Sequence, residues 1–448
     1  MVARGLGVRE FGYFTFSIAF IQLFLIFGKG AIDGTLVSEM ARERERLSDF
    51  FVNGLVLRVG VALVSLSVAF AVAPVFVKGP KAYVALVIIG SALLLDEVSS
   101  FLGVVFKAFE RMQFLALAVL VNRVLSTALA ALALASGGGL ALICFTYFLG
   151  SLGALAAGAV FLVRRFPPID FSLASGTAQR RLFRLGLPLG IAGGLNMAVF
   201  RIDTVMLQGI RGAFDVAMYG AAYRVFESTL FVAYALANVA LPRMSRALRP
   251  ADAMRTFERT GALMLAFYMP VAAGAPFAGT WLIVTLFSDK YAQAGSILWI
   301  LLVAGLFYAF AHLSRMTLIA FRTLSRVAFI ALIVLIANVT MNVVAIPRYG
   351  FTGAAWTTLI TAILEATLLL TLVVRAASRP ALRVMAIPMA ASAIMVASLV
   401  LTGVRDAQAV VLGTAVYLVA LAAVAPLLAP AAVRTLRGAF VHRIAADR

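Results

Sequence analysis

About thirteen long apolar stretches follow one another along nearly the whole chain, each able to cross a hydrocarbon core of about 30 Å as a helix. No water-soluble fold tolerates that pattern. Only 13% of the 448 residues are charged, against about 25% in soluble domains. The spans predicted are 11–34, 51–77, 83–105, 114–135, 140–163, 185–209, 216–241, 261–287, 295–319, 327–346, 353–374, 384–402 and 407–428. The fold class expected is therefore an all-α polytopic membrane protein.

The net charge of +19 is distributed unevenly. Alternate connections hold 25 of the 38 basic residues, among them Arg42, Arg44, Arg46, Lys107, Arg111, Arg164, Arg165, Arg180, Arg181, Arg184, Arg243, Arg246, Arg249, Arg315, Arg322, Arg326, Arg375, Arg379, Arg383 and the tail from Arg434 to Arg448. The other connections hold eight. The positive-inside rule places the basic set, and with it the C-terminus, in the cytoplasm. Trp281, Trp299 and Trp356 fall toward the opposite, outer ends of their spans, as interfacial anchors do.

Composition excludes several chemistries. A single cysteine, Cys144, allows neither a disulfide framework nor a cysteine metal site, and His312 and His442 cannot form a histidine cluster. No cofactor is expected. There is no phosphate-binding Gly-x4-Gly-Lys-Ser/Thr motif, so ATP is not the direct energy source.

An internal repeat organises the spans. At an offset of 205, Gly7, Glu10 and Phe14 fall on Gly212, Asp215 and Tyr219; Met40-Ala41-Arg42 answers Met244-Ser245-Arg246 one residue out of step, and Ala108-Phe109 answers Ala320-Phe321. Six helices per repeat is an even number, so the two lobes share an orientation about an axis along the membrane normal. The division expected is an N-terminal lobe over 1–163, a cytoplasmic linker over 164–184, a C-terminal lobe over 185–374, and two additional helices with a basic tail over 375–448. Thirteen spans with an inside C-terminus leave Met1 outside, and the loop at Gly212 follows a span whereas the loop at Gly7 does not. A first helix upstream of Gly7 is expected to be missing from this chain.

The run Ala3-Arg4-Gly5-Leu6-Gly7 with Glu10-Phe11-Gly12, then Leu36-Val37-Ser38-Glu39-Met40-Ala41-Arg42, resembles the second-helix region of the polysaccharide-biosynthesis membrane proteins. These are the Wzx-type O-antigen flippases of the multidrug/oligosaccharidyl-lipid/polysaccharide exporter superfamily. Gly186-Leu187-Pro188, Asp203, Tyr219 with Ala221-Ala222-Tyr223-Arg224, and Asn338, Asn342 and Ile346-Pro347-Arg348-Tyr349-Gly350 extend the likeness over almost the whole chain. The resemblance implies fourteen helices, two lobes of six plus two, and a chain that departs by lacking the first. It implies movement of an undecaprenyl-pyrophosphate-linked oligosaccharide from the inner to the outer leaflet of the bacterial plasma membrane by alternating access, in lipopolysaccharide or other surface-polysaccharide assembly. Partners implied are the lipid-linked oligosaccharide, membrane lipids and other polysaccharide assembly proteins, with no nucleic acid.

Charged residues inside the spans are the site candidates, because each costs a few kcal/mol in hydrocarbon unless it faces water or a partner. Arg123, about ten residues into its span, is the leading phosphate contact, with an ion pair to Asp96 or Glu97 as the other reading. Arg58, nearer the cytoplasmic boundary, either meets an incoming pyrophosphate or snorkels to head groups. Arg224 and Glu227, three apart, share a helix face and neutralise one another; Lys29 and Asp33, four apart, invite the same interpretation. Arg201 and Asp203, two apart, cannot share a face, so at least one needs a partner on another helix, and Asp203 serves a cavity or an interlobe lock. Asn338 and Asn342 form one polar stripe, either facing a sugar or gluing helices. Glu365 is read as an isolated, protonated carboxyl and His312 as a packing group. Asp33, Asp96, Glu97, Asp203 and Glu227 are the ion-coupling or structural acids; Arg123, Arg58, Arg201, Arg224, Asn338 and Asn342 are the substrate-binding candidates.

Two other classes compete. A multidrug antiporter of the same superfamily would want an anionic cavity, and five basic residues within the spans, with Arg315 counted among the connections, against six acidic do not decide it. A membrane polymerase or glycosyltransferase would need a sizeable outer loop, whereas the outer connections are short, with Asp215, Asp289 and Asp406 their main acids. The chain is not read as an enzyme.

Overall fold

A computed structural model describes residues 2–25, 33–247, 249–321, 324–377 and 383–428. The described residues form helices in the order α1 (Val2–Gly5), α2 (Val8–Leu25), α3 (Asp33–Arg42), α4 (Leu47–Val72), α5 (Pro80–Ala108), α6 (Met112–Ala135), α7 (Leu140–Arg165), α8 (Gly176–Ile210), α9 (Ala213–Ser245), α10 (Pro250–Leu286), α11 (Gly295–Ala320), α12 (Leu324–Ala376), α13 (Arg383–Thr402) and α14 (Asp406–Leu428). Eleven stretches among them are long and apolar enough to cross a membrane. One of these, within α12, is two helices meeting at Gly350, and α8, at 35 residues, has the length for a further crossing.

The expected first span, 11–34, is described in two pieces. α2 ends at Leu25, residues 26–32, including Lys29, lie outside the described residues, and Asp33 opens α3. A carboxylate in a first turn complements the unpaired amides there. The two predicted spans 327–346 and 353–374 are separated as expected, by a backbone break at Gly350 with φ 55° and ψ −136°. The Asp215 carboxylate accepts a hydrogen bond from the Phe351 amide at 3.0 Å, and a Cβ on Gly350 would collide with that same carboxylate. Only glycine fits.

Most of these helices are apolar all round, because one side meets protein and the other meets lipid. Leu401, for example, is 87% exposed while Leu399, two residues earlier, is buried. The helices divide into two compact units, residues 1–220 with 331–354 and residues 221–330 with 355–448. In the first, Leu36, Phe51, Phe101 and Phe106 make a core in which the Phe51 and Phe101 rings lie 5.5 Å apart. In the second, α10 is tied by hydroxyls: Tyr268 donates to the Thr229 carbonyl and Tyr417 to the Ala266 carbonyl, each at 2.8 Å. α13 and α14 pack there through Met395, Leu399 and Tyr417.

Small residues let helices approach closely where lipid supplies no hydrophobic drive. On α7, a Cβ at Gly150 would stand 2.7 Å from Ser126 Cβ and 3.0 Å from the Asn122 carbonyl of α6. That carbonyl is backbone and cannot yield. Gly150→Leu is therefore expected to cost about 1–3 kcal/mol, read as a lowered unfolding midpoint of the detergent-solubilised protein. Gly274→Ala on α10, where a Cβ meets nothing within 4 Å, should leave the midpoint unchanged or raise it, since alanine favours helix.

Candidate functional site

The most deeply buried cation among the described residues of the first unit is Arg58 of α4, 2% exposed. Its Nε and Nη2 donate to Glu97 Oε2 of α5 at 3.1 and 2.8 Å, its Nη2 to the Ser100 hydroxyl at 3.0 Å, and its Nη1 to Asp33 Oδ1 of α3 at 2.5 Å. The Phe101 ring lies 5.9 Å from the guanidinium carbon. Two expectations change. Arg58 neither snorkels nor offers a free fork to a phosphate, because a guanidinium this buried must be saturated with acceptors. The described partner of Asp33 is Arg58, since Lys29 lies outside the described residues.

The ion pair of Arg123 with Asp96 or Glu97, the alternative to a phosphate contact, is absent among the described residues. Neighbouring residues on a helix point about 100° apart, so the two acids serve different neighbours. Glu97 turns to Arg58, while Asp96 accepts from Asn122 Nδ2 at 3.1 Å and from the Tyr147 hydroxyl at 3.4 Å. Arg123 is exposed on α6, with no side-chain hydrogen bond or ion pair among the described residues.

Asp203, 1% exposed on α8, gathers the second polar cluster of that unit. It accepts from the Tyr219 hydroxyl of α9 at 3.0 Å and from Asn342 Nδ2 of α12 at 2.6 Å, and Asn342 also donates to Asn338 Oδ1 at 3.0 Å. Both asparagines are fully buried. The stripe joins α8 to α12 here, with the desolvated Asp203 carboxylate drawing the Asn342 amide. Arg201, two residues before, is half-buried on another face of α8.

In the second unit, Glu365 of α12 is not isolated: it accepts from Arg315 Nη2 of α11. Arg315 was counted with the cytoplasmic connections although it falls inside the predicted span 295–319, and α11 carries it into the bundle. The His312 ring packs edge-on against Tyr234 at 4.4 Å. On α9, Arg224 is exposed and Glu227 half-buried.

Outside the spans, hydrogen bonds from the Ser172 hydroxyl and amide hold the Asp170 carboxyl below its ordinary range, and Asp49 and Glu43 raise Arg46. No three His, Cys, Asp or Glu side chains among the described residues come together as metal ligands. Spacing missed Tyr219, Ser100, Tyr147 and Arg315 as partners. Of these only Tyr219 lay in a motif already singled out.

Fold and buried charge together define a polytopic helical membrane protein. Residues 1–248 match the polysaccharide biosynthesis protein family, and the chain belongs to that family. No curated protein matches the chain at a significant level. Among solved structures, the chain is similar to the lipid II flippase MurJ in an inward-closed conformation, with TM-score 0.79 and 15% identity over 94% of this chain and 93% of that one. It is less similar to an inward-facing multidrug resistance MATE family transporter of the MOP superfamily, at TM-score 0.65 and 14% identity over 84% and 93%. A MOP superfamily transporter from Pyrococcus furiosus, whose binding pocket is described as of reverse polarity, follows at TM-score 0.61 and 14% identity over 83% and 90%.

Removing one member of a buried ion cluster strands the others, at about 3–5 kcal/mol. Arg58→Ala is expected to lower folded yield and unfolding midpoint accordingly, while the combined change of Arg58→Met, Asp33→Asn and Glu97→Gln restores most of the loss. Arg123→Ala should stay within about 0.5 kcal/mol of the parent in the same assay.

Proposed function

We propose that this protein flips a polyprenyl-pyrophosphate-linked oligosaccharide from the inner to the outer leaflet of the bacterial plasma membrane for surface-polysaccharide assembly. The observation that carries the reading is the family match over residues 1–248. The physical need is clear, since moving an ion of phosphate size into a low-dielectric interior costs on the order of 20 kcal/mol by an idealised estimate. A transporter removes that barrier by keeping the head group hydrated or paired during the crossing.

In this reading the chain alternates access between the lobes 1–163 and 185–374, with the C-terminus cytoplasmic. Arg123 is the leading phosphate contact, as an exposed guanidinium deep in a span; Arg201 and Arg224 remain secondary candidates. Asp203 and Asp96 are the acids proposed for ion coupling, because Asp33 and Glu97 already hold Arg58. The likeness to MATE transporters supports a second reading, a cation-coupled multidrug antiporter.

Deletion of the gene is expected to leave lipid-linked repeat units on the inner leaflet while their synthesis continues. If surface polysaccharide is untouched and drug sensitivity rises, the antiporter reading replaces this one. In complementation, Arg123→Ala should abolish polysaccharide export at an unchanged protein level; full activity of that variant would remove it from the site.

A further inference from the structure

A cavity of about 660 Å³ opens between α4 and α8 within the first unit. Gly60, Val64 and Val68 of α4 form one wall and Phe183, Leu187 and Ile191 of α8 the other. Val64, Val68, Phe183, Leu187 and Ile191 are all exposed. These residues recur every three to four positions, so each helix turns one continuous apolar face to the groove. The inner wall holds Arg58, whose guanidinium is already bonded to Asp33, Glu97 and Ser100. Among the described lining residues Arg58 is the one cation, and it is paired.

Among the described residues, basic side chains gather beside one end. Arg180, Arg181 and Arg184 are exposed on the first turns of α8, beside Gln179 at the same end of the groove. From Arg180 to Ile191 is about 16 Å at helical rise, roughly half of a 30 Å hydrocarbon core. The groove is thus about one leaflet deep and mainly apolar along its length, with three exposed arginines on the adjoining turns of α8 at one end. That polarity is complementary to an amphiphile with an anionic head and a long branched hydrocarbon tail.

We infer that the α4–α8 groove holds the polyprenyl tail of the lipid-linked substrate, with its phosphate at Arg180, Arg181 and Arg184. The inference rests on the flippase reading and adds to it a tail site separate from the candidate head-group residues. Gripping the tail at the cytoplasmic leaflet would raise the local concentration of substrate beside the transporter and leave the sugar free.

Gly60 makes the test clean, because a Cβ there meets nothing within 4 Å. Gly60→Leu fills the groove without moving backbone and favours helix. The full chain, in vesicles of phosphatidylethanolamine and phosphatidylglycerol, is irradiated with a diazirine-bearing polyprenyl phosphate, and the adducts are mapped by peptide mass spectrometry. Labelling is expected on residues 56–68 and 183–191, competed by unlabelled undecaprenyl phosphate, and reduced about tenfold in Gly60→Leu, as loss of two buried methylenes implies. The variant should also flip a short-tailed substrate analogue normally while losing the long-tailed one. Equal labelling by a diazirine phosphatidylglycerol, without competition by undecaprenyl phosphate, means annular lipid only and overturns the inference. If wild type flips the lipid-linked sugar but Gly60→Leu matches it on both tail lengths, the groove proposal fails alone. If wild type flips neither analogue, the flippase reading fails first and the tail site falls with it.

Discussion

The cost of an unpaired charge in hydrocarbon sets the internal arrangement of this protein. Arg58 is 2% exposed and meets two carboxylates and a hydroxyl. Asp203 is 1% exposed and draws a tyrosine and an asparagine from two other helices. Each cluster joins three helices, α3, α4 and α5 in one case and α8, α9 and α12 in the other. Nothing of comparable strength acts between the apolar surfaces, which lipid solvates as well as protein does. Register and rotation of these helices therefore depend on a few polar contacts.

The number and type of elements were legible because crossing a membrane demands length and hydrophobicity, and both are properties of single segments. The break at Gly350 was legible for a similar reason, since Pro347 and Gly350 act locally on the backbone. Within the expected span 11–34, α2 follows the apolar run as far as Leu25, and residues 26–32 lie outside the described residues.

Partner choice was much less legible. Asp96 and Glu97 are adjacent in sequence, yet they face different helices. In a soluble helix an apolar stripe would have shown which side is inward. Here both sides are apolar, so the sequence carries no such marker, and Arg123 could be placed at a depth but not on a face. Glu365 looked isolated for a related reason: its partner Arg315 lies just inside the end of α11, where basic residues also serve as topology signals. One residue type was doing two jobs at one place.

Saturation by neighbours also sorts the arginines into those that hold the fold and those available to a ligand. A phosphate reaching Arg58 would have to displace a carboxylate already desolvated beside it, at about 3–5 kcal/mol for breaking such a pair. A charge-assisted hydrogen bond returns about 1.5–3 kcal/mol. Displacement loses, so a guanidinium already bonded to Glu97 and Asp33 is unsuited to transient binding however well its depth suits the head group. At Arg123, which is exposed and has no side-chain partner among the described residues, no such pair would have to be broken, so in the proposed reading the same gain is kept nearly whole. Transport requires release as well as capture, and a contact that is exposed before the ligand arrives is exposed again after it leaves.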